Sequence, residues 1–178
     1  MSFDFHLELT RIWENAVSLY NAGYTDAASF PLEDDLPLLA TWGLSKIDLF
    51  DYAEDWCIHQ EPDFHTFLLV HYERWFYFSE VQNCKPSSVL LVSSSLPAKT
   101  DRAKGVVWLP RIIPKARAKL RGELSNDVMY GCGGDRQFFK DNNIHPAEFL
   151  RVVRRLNNDD QAIIQWVFDR LHRDDSTC

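Results

Sequence analysis

The stretch that decides the fold is residues 108–122, WLPRIIPKARAKLRG, which holds five basic side chains and no acidic one. Its apolar residues recur at helical spacing, so one face of the predicted helix comprises Ile112, Ile113, Ala116 and Leu120. Pro114 inside a helix would lose a backbone hydrogen bond, so we predict that the regular helix begins at Arg111 or later. Gly122 is a natural C-terminal end for it.

Similar helical spacing recurs on both sides of this stretch. Residues 7–21 have it, and Ser45 with Asp48 forms a capping-box signature before a second amphipathic segment. Residues 63–82 follow, Pro146 suits the first turn of a further helix, and Asp159 or Asp160 is expected to cap the last one. We therefore predict an all-α, multi-helix, bundle-like fold, in which VLLV at residues 89–92 forms at most one short strand.

The charge along the chain is segregated. Residues 1–96 carry a net charge of −11, residues 97–121 carry +7 and residues 122–178 carry −3, within a total of −7. A segment rich in Ser and Pro, residues 83–101, separates the first two regions. We predict an acidic helical subdomain at residues 1–96 and a C-terminal module at residues 97–178, which can also pack as one domain.

The sequence shows no sign of export or of membrane insertion. No apolar run approaches the roughly 20 residues that cross a bilayer, and no signal peptide is visible at the N-terminus. The four cysteines form no CxxC pair and match no zinc module. We expect a soluble, cytoplasmic protein with free thiols.

Two segments of the chain resemble each other. GLSKIDLFDYAEDW at residues 43–56 aligns without gaps with NIHPAEFLRVVRRL at residues 143–156, and each precedes an acidic loop and another helix. A duplication would explain the match, but any two capped amphipathic helices share this pattern. Both interpretations stay open at this point.

The C-terminal part of the chain resembles a known family. The shared features span residues 102–175 and comprise Pro110, Arg111, KARAKL at residues 115–120, Gly122, Tyr130, Cys132, Asp135, Arg136, Phe138, Phe139 and IHPAEF at residues 144–149. On these residues the chain is similar to a bacterial family known as domain of unknown function 5069. The resemblance implies a mostly helical, intracellular protein and brings no activity, cofactor or site residues with it.

The cationic face of the basic helix is the first candidate site, and it comprises Arg111, Lys115, Arg117, Lys119 and Arg121. Like charges this close require solvent or opposite charges. The partner could be the acidic N-terminal half, a small anionic ligand, or an acidic protein surface. The acidic total charge argues against nucleic acid, and the absence of an aromatic anchor in the helix argues against a membrane surface.

The glycine-rich loop MYGCGGDRQFF is the second candidate site. Asp135 could cap the short helix that follows, and Arg136 adds a positive charge. Cys132, at the start of a helix and close to basic residues, could act as a nucleophile. We therefore expect a binding module for an anionic group that uses the cationic face with Cys132, Asp135 and Arg136. A small enzyme using Cys132 and a purely structural basic helix are the alternatives.

A metal site is a weaker candidate. Asp55 and His59 share one helical face, and carboxylate–histidine sets on helices can bind metals. His65 and His71 lie six residues apart, so at most one of them could join that set. The sequence identifies no cofactor and no oligomeric state.

Overall fold

The computed structural model describes residues 3–172, and among these it contains eight α-helices and one small two-stranded sheet. The prediction of a mainly α-helical protein is confirmed. The chain divides into two compact units, Met1–Ser88 and Val89–Cys178. Whether residues 1–96 and 97–178 behave as separate domains stays a prediction.

The first unit is a four-helix arrangement. It contains α1 (Phe3–Asn21), a 3₁₀ turn (Glu33–Asp35), α2 (Leu36–Thr41), α3 (Lys46–His59) and α4 (Phe64–Glu80). Helix α1 packs on α3 and α4, and its fully buried residues include Leu9, Ile12 and Ala16. At the start of α3 the backbone N–H of Ser45 donates to Asp48 Oδ2 at 2.9 Å, so the predicted capping box is confirmed.

The second unit is built around the basic helix. It contains a 3₁₀ turn (Ser93–Ser95), β1 (Arg102–Ala103), β2 (Val106–Val107), α5 (Leu109–Arg121), α6 (Gly133–Asp141), α7 (Pro146–Leu156) and α8 (Asp160–Leu171). Helix α5 packs on α7 and α8. The strands form an antiparallel hairpin, whose two-residue turn, Lys104 and Gly105, has positive φ at both positions, as type I′ turns require.

Helix α5 begins earlier than the prolines indicate. It starts at Leu109 with Pro110 in its first turn, and Pro114 lies inside it, so the prediction of a start at Arg111 or later is wrong. Burial of Leu109, Ile112 and Ile113, each at most 2% exposed, outweighs the one hydrogen bond that Pro114 cannot make. Gly122 ends the helix with φ 67°, as predicted.

The apolar segment at residues 89–92 forms no regular strand. Leu91 makes an isolated parallel bridge with Leu124, through Leu91 N–H donating to Glu123 O at 2.6 Å. The small sheet instead lies at residues 102–107, where the sequence analysis places no strand. Within residues 3–172, no helix has the length and hydropathy to cross a membrane.

Candidate functional site

The centre of the candidate site is a buried ion pair between α5 and α6. Lys115 Nζ donates to Asp135 Oδ2, and these residues are 3% and 0% exposed. Lys115 lies one helical turn before Lys119, which is also buried at 3%. A charge this deeply buried needs an opposite charge and hydrogen bonds to be tolerated. The pair therefore holds α6 against α5.

Asp135 accepts hydrogen bonds from three directions. Besides Lys115, the Gly131 N–H donates to Oδ2 at 2.9 Å and the Trp108 indole Nε1–H donates to Oδ1 at 2.9 Å. Asp135 is the third residue of α6 and caps nothing, so the prediction that it caps this helix is wrong. The N-cap residue is Cys132, whose side chain makes no capping hydrogen bond. The physical reason is that the buried ammonium and indole bind the carboxylate more strongly than exposed backbone groups would.

Trp108 contacts both Asp135 and Gly134 of α6. It is the N-cap residue of α5 and adopts a left-handed backbone with φ 71°, which is strained for a residue with a side chain. Its ring lies against Gly134, where an added Cβ would approach ring atom Cη2 to 2.4 Å. The sequence analysis does not select Trp108. The available signal is a tryptophan directly before the basic helix.

Cys132 and Arg136 lie at the outer side of the ion pair. Cys132 is half-buried, and its Sγ is 3.4 Å from Lys115 Nζ, which donates to it. Arg136 Nη1 donates to Gly131 O at 3.0 Å, and its Nη2 would be 3.8 Å from a Cβ on Gly133. The structure thus brings Lys115, Cys132, Asp135 and Arg136 of the candidate set together.

The remaining cations of α5 point elsewhere. Arg117 pairs with Asp160 and donates from Nε to Asn157 O at 2.9 Å, and Arg121 donates to Asn158 Oδ1 at 3.2 Å. Arg111 donates to Pro97 O at 2.7 Å and lies over the Trp108 ring. With Lys115 and Lys119 buried, the five cations do not form one continuous exposed face. The acids that pair with Lys115 and Arg117 are Asp135 and Asp160, both from the second unit.

The other candidate residues lie in the first unit. Asp55 and His59 are on α3, and residues 3–172 contain no group of three or more His, Cys, Asp or Glu side chains that could hold a metal ion. His71 is fully buried, with Nδ1 2.8 Å from Phe67 O. Burial raises the pKa of the Cys57 thiol, which disfavours its reactive thiolate form.

The comparisons with known proteins identify the C-terminal region. The model of the family described as "Domain of unknown function (DUF5069)" matches residues 95–177. Residues 95–177, just under half of the chain, are thus similar to this family. The match confirms the resemblance predicted from the sequence, and it includes α5, α6 and the ion pair between them. Neither a curated protein nor a solved structure matches this chain. The family description assigns no activity, so a functional assignment must come from the geometry of the site.

Proposed function

We propose that the second unit recognises an anionic group at the N-terminus of α6, between Cys132 and Arg136. The observation that carries the proposal is that the N-cap residue of this nine-residue helix, Cys132, makes no capping hydrogen bond with its side chain. The nearby carboxylate of Asp135 is turned inward to Lys115 and Trp108, which leaves the first-turn N–H groups without a cap from either residue. Backbone N–H groups at a helix N-terminus attract anions through their partial positive charge.

Two cations support the same location. The Arg136 guanidinium lies beside Gly133, and the Lys115 ammonium lies directly behind the half-buried Cys132. The exposed Gly133 allows a ligand to come close to the backbone. Of the predicted cationic face, only Lys115 belongs to the proposed site. Arg117 and Arg121 instead bind Asn157 and Asn158, between α7 and α8.

A thermal-shift titration with inorganic phosphate tests this proposal. At constant ionic strength, phosphate should raise the melting temperature of the full chain relative to chloride, because a ligand that binds only the folded state stabilises it. A ligand at 100 times its dissociation constant contributes about 2.7 kcal/mol. The Arg136→Gln variant should lose most of this rise.

Arg121→Gln is the matched control, since it removes the same charge from the same unit at a distance from the α6 N-terminus. It should keep the full phosphate effect. An absent rise in the unsubstituted protein, or equal rises in all three proteins, would exclude a small anionic ligand at this site. If both variants lose the phosphate-induced rise equally, the effect depends on the net charge of the protein and not on the α6 N-terminus. That outcome would contradict the proposed site.

A reactive thiol at Cys132 is a second candidate function. The observation that favours it is the hydrogen bond from Lys115 Nζ to Cys132 Sγ. A neighbouring cation favours the thiolate, which is the nucleophilic form of cysteine. Such a site would serve a small enzyme that forms a covalent intermediate on this sulfur.

Alkylation kinetics test the thiol. Iodoacetamide at neutral pH should modify Cys132 faster than the exposed Cys84 and much faster than Cys57, whose pKa is raised by burial. In Lys115→Met protein that calorimetry shows to be folded, the reaction at Cys132 alone should slow. Peptide mass spectrometry measures each rate. If Cys84 reacts faster than Cys132 in the unsubstituted protein, the thiol has no special reactivity.

We also propose that the protein is cytoplasmic. It is supported by the three described cysteines, Cys57, Cys84 and Cys132, which are all free thiols. That acids of residues 1–96 neutralise the charges of α5 also stays a prediction. The acids that pair with Lys115 and Arg117, Asp135 and Asp160, both belong to the second unit.

A further inference from the structure

The helix–turn–helix segments of the two units have the same backbone path. Helix α2 ends at Trp42 with φ −102° and ψ 2°, and α6 ends at Asn142 with φ −103° and ψ 5°. The next residue has positive φ in both cases, 68° at Gly43 and 49° at Asn143. The hydrogen bond after it also repeats, from Leu44 N–H to Leu39 O at 3.0 Å and from Ile144 N–H to Phe139 O at 2.9 Å.

The buried positions repeat at an offset of 100 residues. Leu44 and Ile144 are 5% and 4% exposed, and the core positions of α3 recur in α7. The buried pairs at this offset are Leu39 and Phe139, Leu49 and Phe149, Phe50 and Leu150, Tyr52 and Val152, and Ala53 and Val153. One register therefore describes a helix, a turn and a second helix, which is more than two capped amphipathic helices share by chance.

The ion pair also has a counterpart in the first unit. Asp35, at the start of α2, accepts from Arg11 Nη2 of α1 at 2.6 Å, as Asp135 accepts from Lys115 of α5, but the Arg11 side chain is 52% exposed whereas Lys115 is buried. Asp35 is 8% exposed, and it precedes Gly43 by the same eight residues that separate Asp135 from Asn143. The hydrogen bond to Asp35 is the main cause that raises the pKa of Arg11, and Glu8 contributes less.

The first helices of the two units agree with this pairing. When Arg11 is placed on Lys115, at an offset of 104 instead of 100 residues, four buried positions of α1 fall on four of the eight buried positions of α5. They are Phe5 on Leu109, Leu9 on Ile113, Ile12 on Ala116, and Ala16 on Leu120. Helix α1 packs on α3 as α5 packs on α7. The agreement thus extends over three helices in each unit.

In the first unit, the position that corresponds to the candidate site is a cleft. A cleft of about 380 Å³ is lined by Arg11, Asn15 and residues 31–35, which correspond to Lys115, Lys119 and residues 131–135. Glu33 and Asp34 stand where the second unit has Gly133 and Gly134. Two carboxylates therefore replace the flexible, uncharged backbone of the proposed anion site, and they would repel an anion.

We infer that residues 1–88 are a second, diverged copy of the C-terminal module. In this copy Arg11 and Asp35 replace Lys115 and Asp135 as the pair that joins the first two helices. The acids at positions 33 and 34 exclude anions, so the residue at position 33 or 133 determines whether a copy accepts an anionic group. The ligand part of this inference rests on the proposed function, whereas the duplication does not.

Hydrogen–deuterium exchange of the full chain tests the assigned pair of Arg11 and Asp35, since peptide mass spectrometry reads each helix separately. Asp35→Asn should accelerate exchange in α1 and α2, which the pair joins, by about fivefold, the effect of losing about 1 kcal/mol. Glu8→Gln is the matched control, because Glu8 pairs with the same arginine at 2.9 Å but lies on α1 itself. It should leave exchange unchanged. Equal effects of the two variants, or none, would overturn the assignment of Arg11 and Asp35.

Phosphate binding tests the determinant at position 133. Gly133→Glu should abolish the phosphate-induced rise in melting temperature, while Gly133→Gln, which adds the same bulk without the charge, should lose less of it. Equal losses in the two variants, or a rise retained in Gly133→Glu, would overturn the charge argument. If the unsubstituted protein shows no rise, the proposed function fails, and the exchange experiment still decides independently whether Arg11 and Asp35 join the first two helices as Lys115 and Asp135 do.

Discussion

Gly134→Ala is the most demanding test of the site geometry. A Cβ at this position would be 2.4 Å from Cη2 and 2.5 Å from Cζ2 of Trp108, far inside van der Waals contact. The ring cannot move without cost, because its Nε1–H is bonded to Asp135 and its backbone is fixed at φ 71°. Overpacking of this kind costs about 1–3 kcal/mol.

The neighbouring glycine provides a control of opposite sign. The nearest atom to a Cβ on Gly133 is Arg136 Nη2 at 3.8 Å, which is ordinary contact. Gly133→Ala in a helical backbone should therefore stabilise the unit by about 0.4–1 kcal/mol, by restricting the unfolded chain. The same chemical change, one residue apart, should thus have opposite effects.

Differential scanning calorimetry of the full chain measures both variants. For a unit of this size, 1 kcal/mol corresponds to about 4–8 °C in melting temperature. Gly134→Ala should lower the transition of the second unit by at least that amount, and Gly133→Ala should raise it slightly. If Gly134→Ala melts at the same temperature as Gly133→Ala, Trp108 does not pack as described and the site loses its support.

Three further substitutions test the energetics. Lys115→Met should lower the free energy of unfolding by about 3–5 kcal/mol, because it leaves the buried Asp135 charge without its cation. Arg117→Met should lower it by about 1 kcal/mol or less, because Asp160 is 53% exposed. Urea unfolding measures both changes. Asp63→Ala should cost about 1 kcal/mol at neutral pH by removing the α4 cap. Burial acts to raise the pKa of Asp63, but hydrogen bonds from Thr66 outweigh it and leave the pKa lowered. This contribution is therefore present above the unfolded-state pKa and should vanish in unfolding measurements as the pH falls through the lowered folded-state pKa.

The helices and their caps were largely predictable from the sequence because they depend on neighbouring residues. The capping box of Ser45 and Asp48 is set by a spacing of three residues. Asp159, a predicted cap, accepts from Ala162 N–H at 2.9 Å. Such signals are local and require no knowledge of the tertiary structure.

Errors occurred where tertiary burial outweighs a local rule. Pro114 argued for a late start of α5, but three buried aliphatic side chains extend the helix back to Leu109. Asp135 resembled a helix cap, but Lys115, twenty residues away, binds its carboxylate. Pro31 and Pro37 argue against a helix at α2, but Pro37 occupies its first turn, where proline is tolerated.

The charge pattern of α5 illustrates why the site could be located in part only. A helical wheel places Lys115 and Lys119 on a polar face, and the sequence cannot show that this face is covered by the rest of the unit. Burial converts two of the five cations from surface charges into structural ones. It also draws Asp135 away from the helix terminus that it would otherwise cap. The buried pair therefore both fixes α6 and leaves its N-terminus without a side-chain cap, so the stability of the fold and the proposed recognition of an anion depend on the same carboxylate.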